Sequence, residues 1–243
     1  MHETLLDPLR ACAREIAEVV RPGERAGYSG LRETQYHLDV AADEVAVRVL
    51  TGAGFRVVSE ESGVTGVGDY TVVVDPIDGS TNCDHGIPFY ATSLAVVGAG
   101  EIVAGLVVNQ ATGTAYEAER GQGATRDGVA IAPSAVVALE RAVVCFSGLP
   151  GRHLGWAQYR ALGAAALEVC LVADGSLDLF SVARRSTLRP WDYLAGLLIA
   201  REAGAAVTEW DGRDLVTIEP VARRPLVAAT VALLDEARAL GAP

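Results

Sequence analysis

Residues 72–82 read VVVDPIDGSTN, a β-branched run that delivers two aspartates, three positions apart, into a Gly-Ser-Thr-Asn turn. Consecutive valines suit a strand buried on both faces, and such a strand holds rigidly whatever stands at its end. Asp75 is therefore fixed in space. Pro76 locks φ and lacks an N–H, so the strand is expected to stop there and the chain to turn, letting Asp78 point back towards Asp75. Gly79 permits close backbone approach, and Ser80, Thr81 and Asn82 are all favoured at helix N-caps. A helix beginning here would set free N–H groups beside the carboxylates, an anion site next to a cation site. Two carboxylates this close repel unless a cation lies between them, and hard oxygen donors select magnesium, manganese or calcium over zinc. Turn-forming aspartates at a cap would leave the same short pattern, so other acids have to decide.

Three other segments supply them. SEESG puts Glu60 and Glu61 at the end of a strand, PWDYLAG puts Asp192 in the first turn of a helix, and Asp39 opens the second helix. Taken singly, each fits a cap or a favourable dipole contact. Taken together, they form a set of hard-cation ligands.

Around these segments the periodicity alternates. Leu5, Leu6, Leu9, Ala13, Ile16, Ala17 and Val20 mark an amphipathic helix closed by Pro22-Gly23, followed by a Gly-rich loop, GERAGYSG; helical spacing returns from Leu38 to Leu50. FRVVSEESG, TVVVD, SLAVVGAG, EIVAGLVVN, TAYEAERG and AVVCFSG read as strands separated by turns. Beyond them WAQYRALGAAALEVCLVADG, SLDLFSV and WDYLAGLLIAREAG alternate helix, strand and helix, with Gly204 as the last helix's stop. This pattern predicts an α/β protein, with an α+β N-terminal lobe over 1–140 and an α/β C-terminal lobe over 141–243.

Composition bounds the function. The 243 residues suffice for a sizeable core, and the net charge of −11 argues against nucleic-acid binding, which needs a basic stripe. Apolar runs fall short of the roughly 18 residues of a membrane span, and the first twenty residues lack the basic leader of a secretory signal, so a cytoplasmic protein is expected. Cys12, Cys83, Cys145 and Cys170 are widely spaced and read as reduced, packing thiols.

EESG at 60–63, DPIDGSTN at 75–82, GAAALEVCLVADGSLD at 163–178 and WDYLAG at 191–196 occur in an order that resembles the inositol monophosphatase family, within the magnesium-dependent, lithium-sensitive sugar phosphatases. The resemblance implies a layered αβαβα fold and two or three Mg2+ ions. Glu60, Asp75 and the Ile77 carbonyl would hold the first, Asp75, Asp78 and Asp192 the second, and Glu60 would help a third. Asp39, Glu60 and Ser80 would serve catalysis, Ser80 with Asp39 positioning the attacking water. Gly79 and Ser80 would bind phosphate, and Gly163 and Ala164 the rest of the substrate. It implies hydrolysis of a small phosphate monoester such as inositol 1-phosphate without a phosphoenzyme, and a homodimer is common in the family. The alternatives are a bisphosphorylated sugar, a 3′-phosphonucleotide, or a silent member that binds without hydrolysis; the complete set of ligand positions argues against the last.

Two departures stand out. Val182 takes the place of an acid that meets the sugar hydroxyls in inositol phosphate hydrolases, and ARRSTLRPWD brings Arg184, Arg185 and Arg189 with about two extra residues before Trp191. Arginines beside a turn usually face water, which favours a solvated charge cluster; the sharper alternative is that Arg184 or Arg185 holds a second anionic group of the substrate, another phosphate or a carboxylate. The approach to Asp39 reads RETQYHLD where the family has Val-Thr-x-x-Asp.

Overall fold

A computed structural model describes residues 4–20, 22–23, 27–30 and 35–243. The Gly-rich loop expected over 23–30 lies partly outside those residues.

Helices α1 (Leu6–Val19) and α2 (His37–Gly52) precede a first sheet made of β1 (Arg56–Ser59), β2 (Gly63–Thr65), β3 (Thr71–Asp78), β4 (Ala91–Gly98), β5 (Glu101–Asn109), β6 (Ala115–Glu119), β7 (Ala124–Arg126) and β8 (Val129–Ala130). Its order is β2-β1-β3-β4-β5-β6-β7-β8, antiparallel except for the β1–β3 pair. The short helix α3 (Ser80–His85) joins β3 to β4. A second sheet follows, from β9 (Val143–Ser147), β10 (Gln158–Arg160), β11 (Leu179–Val182), β12 (Ala206–Glu209) and β13 (Pro225–Ala228), in the order β10-β9-β11-β13-β12. Helices α4 (Ala165–Ala173), α5 (Pro190–Ala203) and α6 (Val231–Leu240) complete the chain.

Alternation along the strands builds the layers. Val72, Val74, Leu94 and Val96 pack with Leu9, Ile16 and Leu50 of α1 and α2, whereas Val73 and Ala95 face Leu167, Leu194 and Leu197 of α4 and α5. That central helical layer also takes Cys145, Phe180 and Val227 from the second sheet, whose other face gives Val144, Phe146 and Leu226 to Leu233 and Leu234 of α6. The result is the expected αβαβα stack. Burying apolar side chains at about 25 cal/mol per Å2 makes these layers the main source of stability.

Pro76 does not end its strand. β3 continues to Asp78, with Asp75 opposite Ser93 and Asp78 opposite Ala91, so three steps on β3 match two on β4. This one-residue bulge has a consequence for chemistry. In a regular strand residues three apart face opposite sides, but the extra residue restores parity and turns Asp75 and Asp78 to one side. That side is Val73's, towards α4 and α5. The Thr92 hydroxyl donates to the Pro76 carbonyl at 2.9 Å, satisfying the bulged backbone. The helix after it is capped not by Ser80, Thr81 or Asn82 but by Gly79, whose φ of 87° suits glycine. Elements β7, β8, β12 and β13 carry too little periodic sequence to have been expected, and the helix expected to begin in WAQYRALG begins only at Ala165, because Gln158–Arg160 pairs with β9 as strand β10.

Candidate active site

Strand pairing brings Glu60 to Asp75. β1 lies parallel to β3 with Ser59 beside Val74, and the Glu60 N–H donates to the Val74 carbonyl at 3.2 Å, placing the next residue on each chain side by side. Asp192 arrives from the other layer. Pro190 opens α5 and Asp192, at its third position, accepts the Arg189 N–H at 2.6 Å. Ser93, which faces Asp75 across the strand pair, donates to the Trp191 carbonyl at 3.0 Å and ties this first turn to the sheet. Gly105 and Gly196 make the close packing possible: a Cβ on Gly105 would lie 3.1 Å from the Ala195 carbonyl oxygen, and one on Gly196 3.1 Å from Val169.

Glu60, Asp75 and Asp192 therefore converge, each offering a carboxylate oxygen within 4.8 Å of the others. Glu60 is exposed as a residue, but its carboxyl turns inward to this group. Burial raises the Glu60 pKa to about 8, with the charges of Asp192, Glu61 and Asp39 adding. Burial first, then Glu60, Asp78 and Asp192, holds Asp75 well above the carboxylate range. Asp192 is pushed up to about 6 by burial, the Arg189 N–H pulling the other way. Three converging acids that resist ionisation together match what a divalent cation needs, oxygen donors whose repulsion it would relieve.

Asp78 sits beside this triplet and shares a cavity of about 440 Å3 with Asp192. Its oxygens accept the Ala165 and Ala166 N–H groups at 3.2 and 2.7 Å, at the start of α4. Burial and Asp192 raise its pKa well above the usual value, against the pull of those amides. The Ile77 N–H donates to Asp75 Oδ1 at 3.1 Å. Gly79 is wedged against the opposite wall: a Cβ there would lie 2.9 Å from the Gly163 carbonyl oxygen and 3.1 Å from the Ala164 Cβ. Gly163 and Ala164 line the same cavity.

Asp39 closes a capping box with the Tyr36 N–H at 2.8 Å despite its atypical leading sequence. Burial raises its pKa to about 7, the Tyr36 N–H and the Ser80 hydroxyl opposing. Asp39 and Ser80 are near enough for that hydroxyl to act on the carboxylate.

The arginines are placed differently. Arg184 and Arg185 line a second cavity, about 620 Å3 and larger than the first, together with Arg152. It adjoins the carboxylate cavity through Gly148 and Leu149, which line both. Val182 is buried in the central core, and the Arg189 guanidinium donates to the Pro220 carbonyl at 2.8 Å. Sequence reasoning missed Arg152, which lies in an irregular Pro-Gly segment without periodic signal. It also missed Glu168, although one charge inside the apolar run AAALEVCLVA was a visible signal.

The family model for the inositol monophosphatase family matches residues 9–240. A fructose-1,6-bisphosphatase/inositol-1-monophosphatase of Thermococcus kodakarensis is 37% identical over 215 residues, covering 83% of this chain and 82% of its own. An inositol-1-monophosphatase of Mesorhizobium japonicum is 33% identical over 225 residues, covering 84% and 81%. A solved inositol monophosphatase-fructose 1,6-bisphosphatase superposes with a TM-score of 0.86 at 28% identity, over 98% of this chain and all of that one (100%). The acid-lined layer junction thus belongs to a phosphoric monoester hydrolase, and the chain is a member of the inositol monophosphatase family.

Proposed function

We propose that the protein is a magnesium-dependent phosphatase that hydrolyses a small monoester resembling inositol 1-phosphate by direct attack of water. The convergence of Glu60, Asp75 and Asp192 oxygens within 4.8 Å carries the reading. Glu60, Asp75, Asp192, Asp78 and the Ile77 carbonyl would hold two or three Mg2+ ions. When bound, magnesium supplies the charge that neutralises phosphate oxygens and acidifies water. Gly79 and Ser80 would offer backbone N–H groups to the phosphate. The Ser80 hydroxyl lies near Asp39, so that Ser80 Oγ would orient the attacking water and Asp39 would receive a proton near neutral pH. The wall formed by Gly163 and Ala164 would receive the leaving group. Four free, buried cysteines suit the reducing cytoplasm proposed for it.

Incubating the purified protein with inositol 1-phosphate, with and without magnesium, tests this. Phosphate release that requires magnesium and is lost in Asp78→Asn supports the reading; release without added magnesium after chelation overturns it.

One observation favours a bisphosphorylated sugar as the substrate. The cavity of Arg152, Arg184 and Arg185 opens beside the carboxylate cavity, where a second phosphate on a sugar-sized molecule would reach it. Replacing Arg184 and Arg185 by Ala should then raise KM for fructose 1,6-bisphosphate about tenfold and spare p-nitrophenyl phosphate. An equal loss on both compounds would sink this second reading.

A further inference from the structure

Glu168 is a buried carboxylate, 1% exposed, in the first turn of α4, and no step of the proposed hydrolysis uses it. Two donors converge on it. The Leu162 and Gly163 N–H groups reach Oε1 at 2.6 and 3.0 Å. These bonds bend residues 162–164 back over the start of the helix. The same segment is gripped from the opposite side by Asn82, whose Nδ2 donates to the carbonyls of Leu162 and Phe89, both at 2.7 Å.

The gripped segment forms one wall of the cavity. Its Gly163 carbonyl lies against Gly79, and Ala165 and Ala166, next along the chain, hold Asp78. Glu168 and Asn82 thus brace the segment from two layers, one through its amides and the other through a carbonyl. Without Glu168 two N–H groups would lose their acceptor, and such groups move to find another. A shift of a few tenths of an ångström would move the Gly163 carbonyl into or away from Gly79, which has no side chain to yield.

We propose that Glu168 is a positioning residue that, with Asn82, sets the distance between the 162–164 wall and the Gly79 turn, and so sets affinity for the phosphate group. The proposal rests on the reading of Gly79 and Ser80 as the phosphate-binding turn. Glu168→Leu, which keeps the bulk and removes the acceptor, should raise KM for inositol 1-phosphate and Ki for inorganic phosphate together, each about tenfold, with kcat changed less than about threefold. Glu168→Gln retains an oxygen for both amides and should restore both constants to within about twofold. Asn82→Ala releases the other end of the brace and should raise both about fivefold.

A Glu168→Leu protein that folds, with KM and Ki unchanged, overturns the proposal. Should that variant fail to fold, the proposal falls if Asn82→Ala leaves both constants alone, or if Glu168→Gln shifts them as far as tenfold. A wild-type protein with no magnesium-dependent turnover would instead remove the proposed function. Calorimetric titration of inorganic phosphate into the magnesium-loaded variants then still reads the brace.

Discussion

Two acidic clusters in this molecule are made of the same functional groups and titrate in opposite directions. Glu209, at the end of β12, is buried, which alone would raise its pKa, but the Arg213 guanidinium at 2.7 Å and the amides of Arg224, Arg213 and Asp211 outweigh burial and hold it low. Asp211 is likewise lowered, first by the Arg224 guanidinium at 2.7 Å. In the other cluster the hydrogen bonds to Asp75 and Asp78 come from amides of Ile77, Ala165 and Ala166, which carry no net charge, and both aspartates are raised. The first cluster is neutralised by the chain itself. The second receives no cation from the chain, so its acids repel one another and take up protons instead, a costly arrangement in a buried site that a bound cation would relieve.

Removing one acid from each cluster should therefore have unlike effects. Asp75→Asn should lower kcat/KM by about a thousandfold or more, about 4 kcal/mol of transition-state stabilisation. Its metal-free form should melt no lower than the wild type, because the amide oxygen still accepts the Ile77 N–H while a repelling charge is gone. A marked fall in the metal-free Tm would show that the cluster is structural and break the contrast.

The pH dependence sharpens the same contrast. Glu60 rises from 4.5 to about 8 on folding and Asp39 from 3.8 to about 7, in each case chiefly through burial. The folded form thus holds more protons than the unfolded form between those values. The stabilisation is full below about pH 4 and is lost as pH rises towards 8. Denaturant titrations of the chelated protein should show stability falling from pH 5 to pH 8, and magnesium at a hundredfold excess over its Kd should return about 2.7 kcal/mol at pH 8. A flat profile across that range would mean that these acids do not carry protons in the folded, metal-free state.

Legibility followed the range of the forces involved. The strands β3, β4 and β5 and the helices α1, α2 and α5 were evident because their apolar spacing is local, and Gly204 ends α5 with φ 98° as its type suggests. The acids were readable as a set because each was expected at an element's end, although Asp75 in fact lies within β3. What aligns them was not readable. Pro76 looks like a terminator, and only pairing with Ser93 and Ala91 reveals that it sits in a bulge that turns Asp75 and Asp78 to one side. The arginine segment shows the complementary failure. A charge-rich run says that cations are present, but its separation from the carboxylates depends on the turn at Gly148 and on Arg152, neither of which has a periodic signature.

The smallest expected effect lies in the neutralised cluster. Glu209→Gln keeps oxygen and bulk but removes the charge that Arg213 pairs with, at 2.7 Å and on a residue only 2% exposed. Two of the four bonds to Glu209 also meet an amide NH2 in place of an acceptor, since each carboxylate oxygen accepts two. Loss of a buried, charge-assisted contact of this kind should cost about 2 kcal/mol and lower Tm by about 4–8 °C. Because Glu209 ends a strand of the second sheet, away from the residues lining the carboxylate cavity, kcat/KM at 25 °C should stay within about twofold of the wild type. Its pH signature should also be reversed. Glu209 has a lowered pKa, so its contribution is present above the unfolded value near 4.5 and disappears as pH falls through the folded one. Acid melting curves of the wild type and Glu209→Gln should accordingly draw together as pH falls below the unfolded value, where the metal-site acids are protonated and most stabilising.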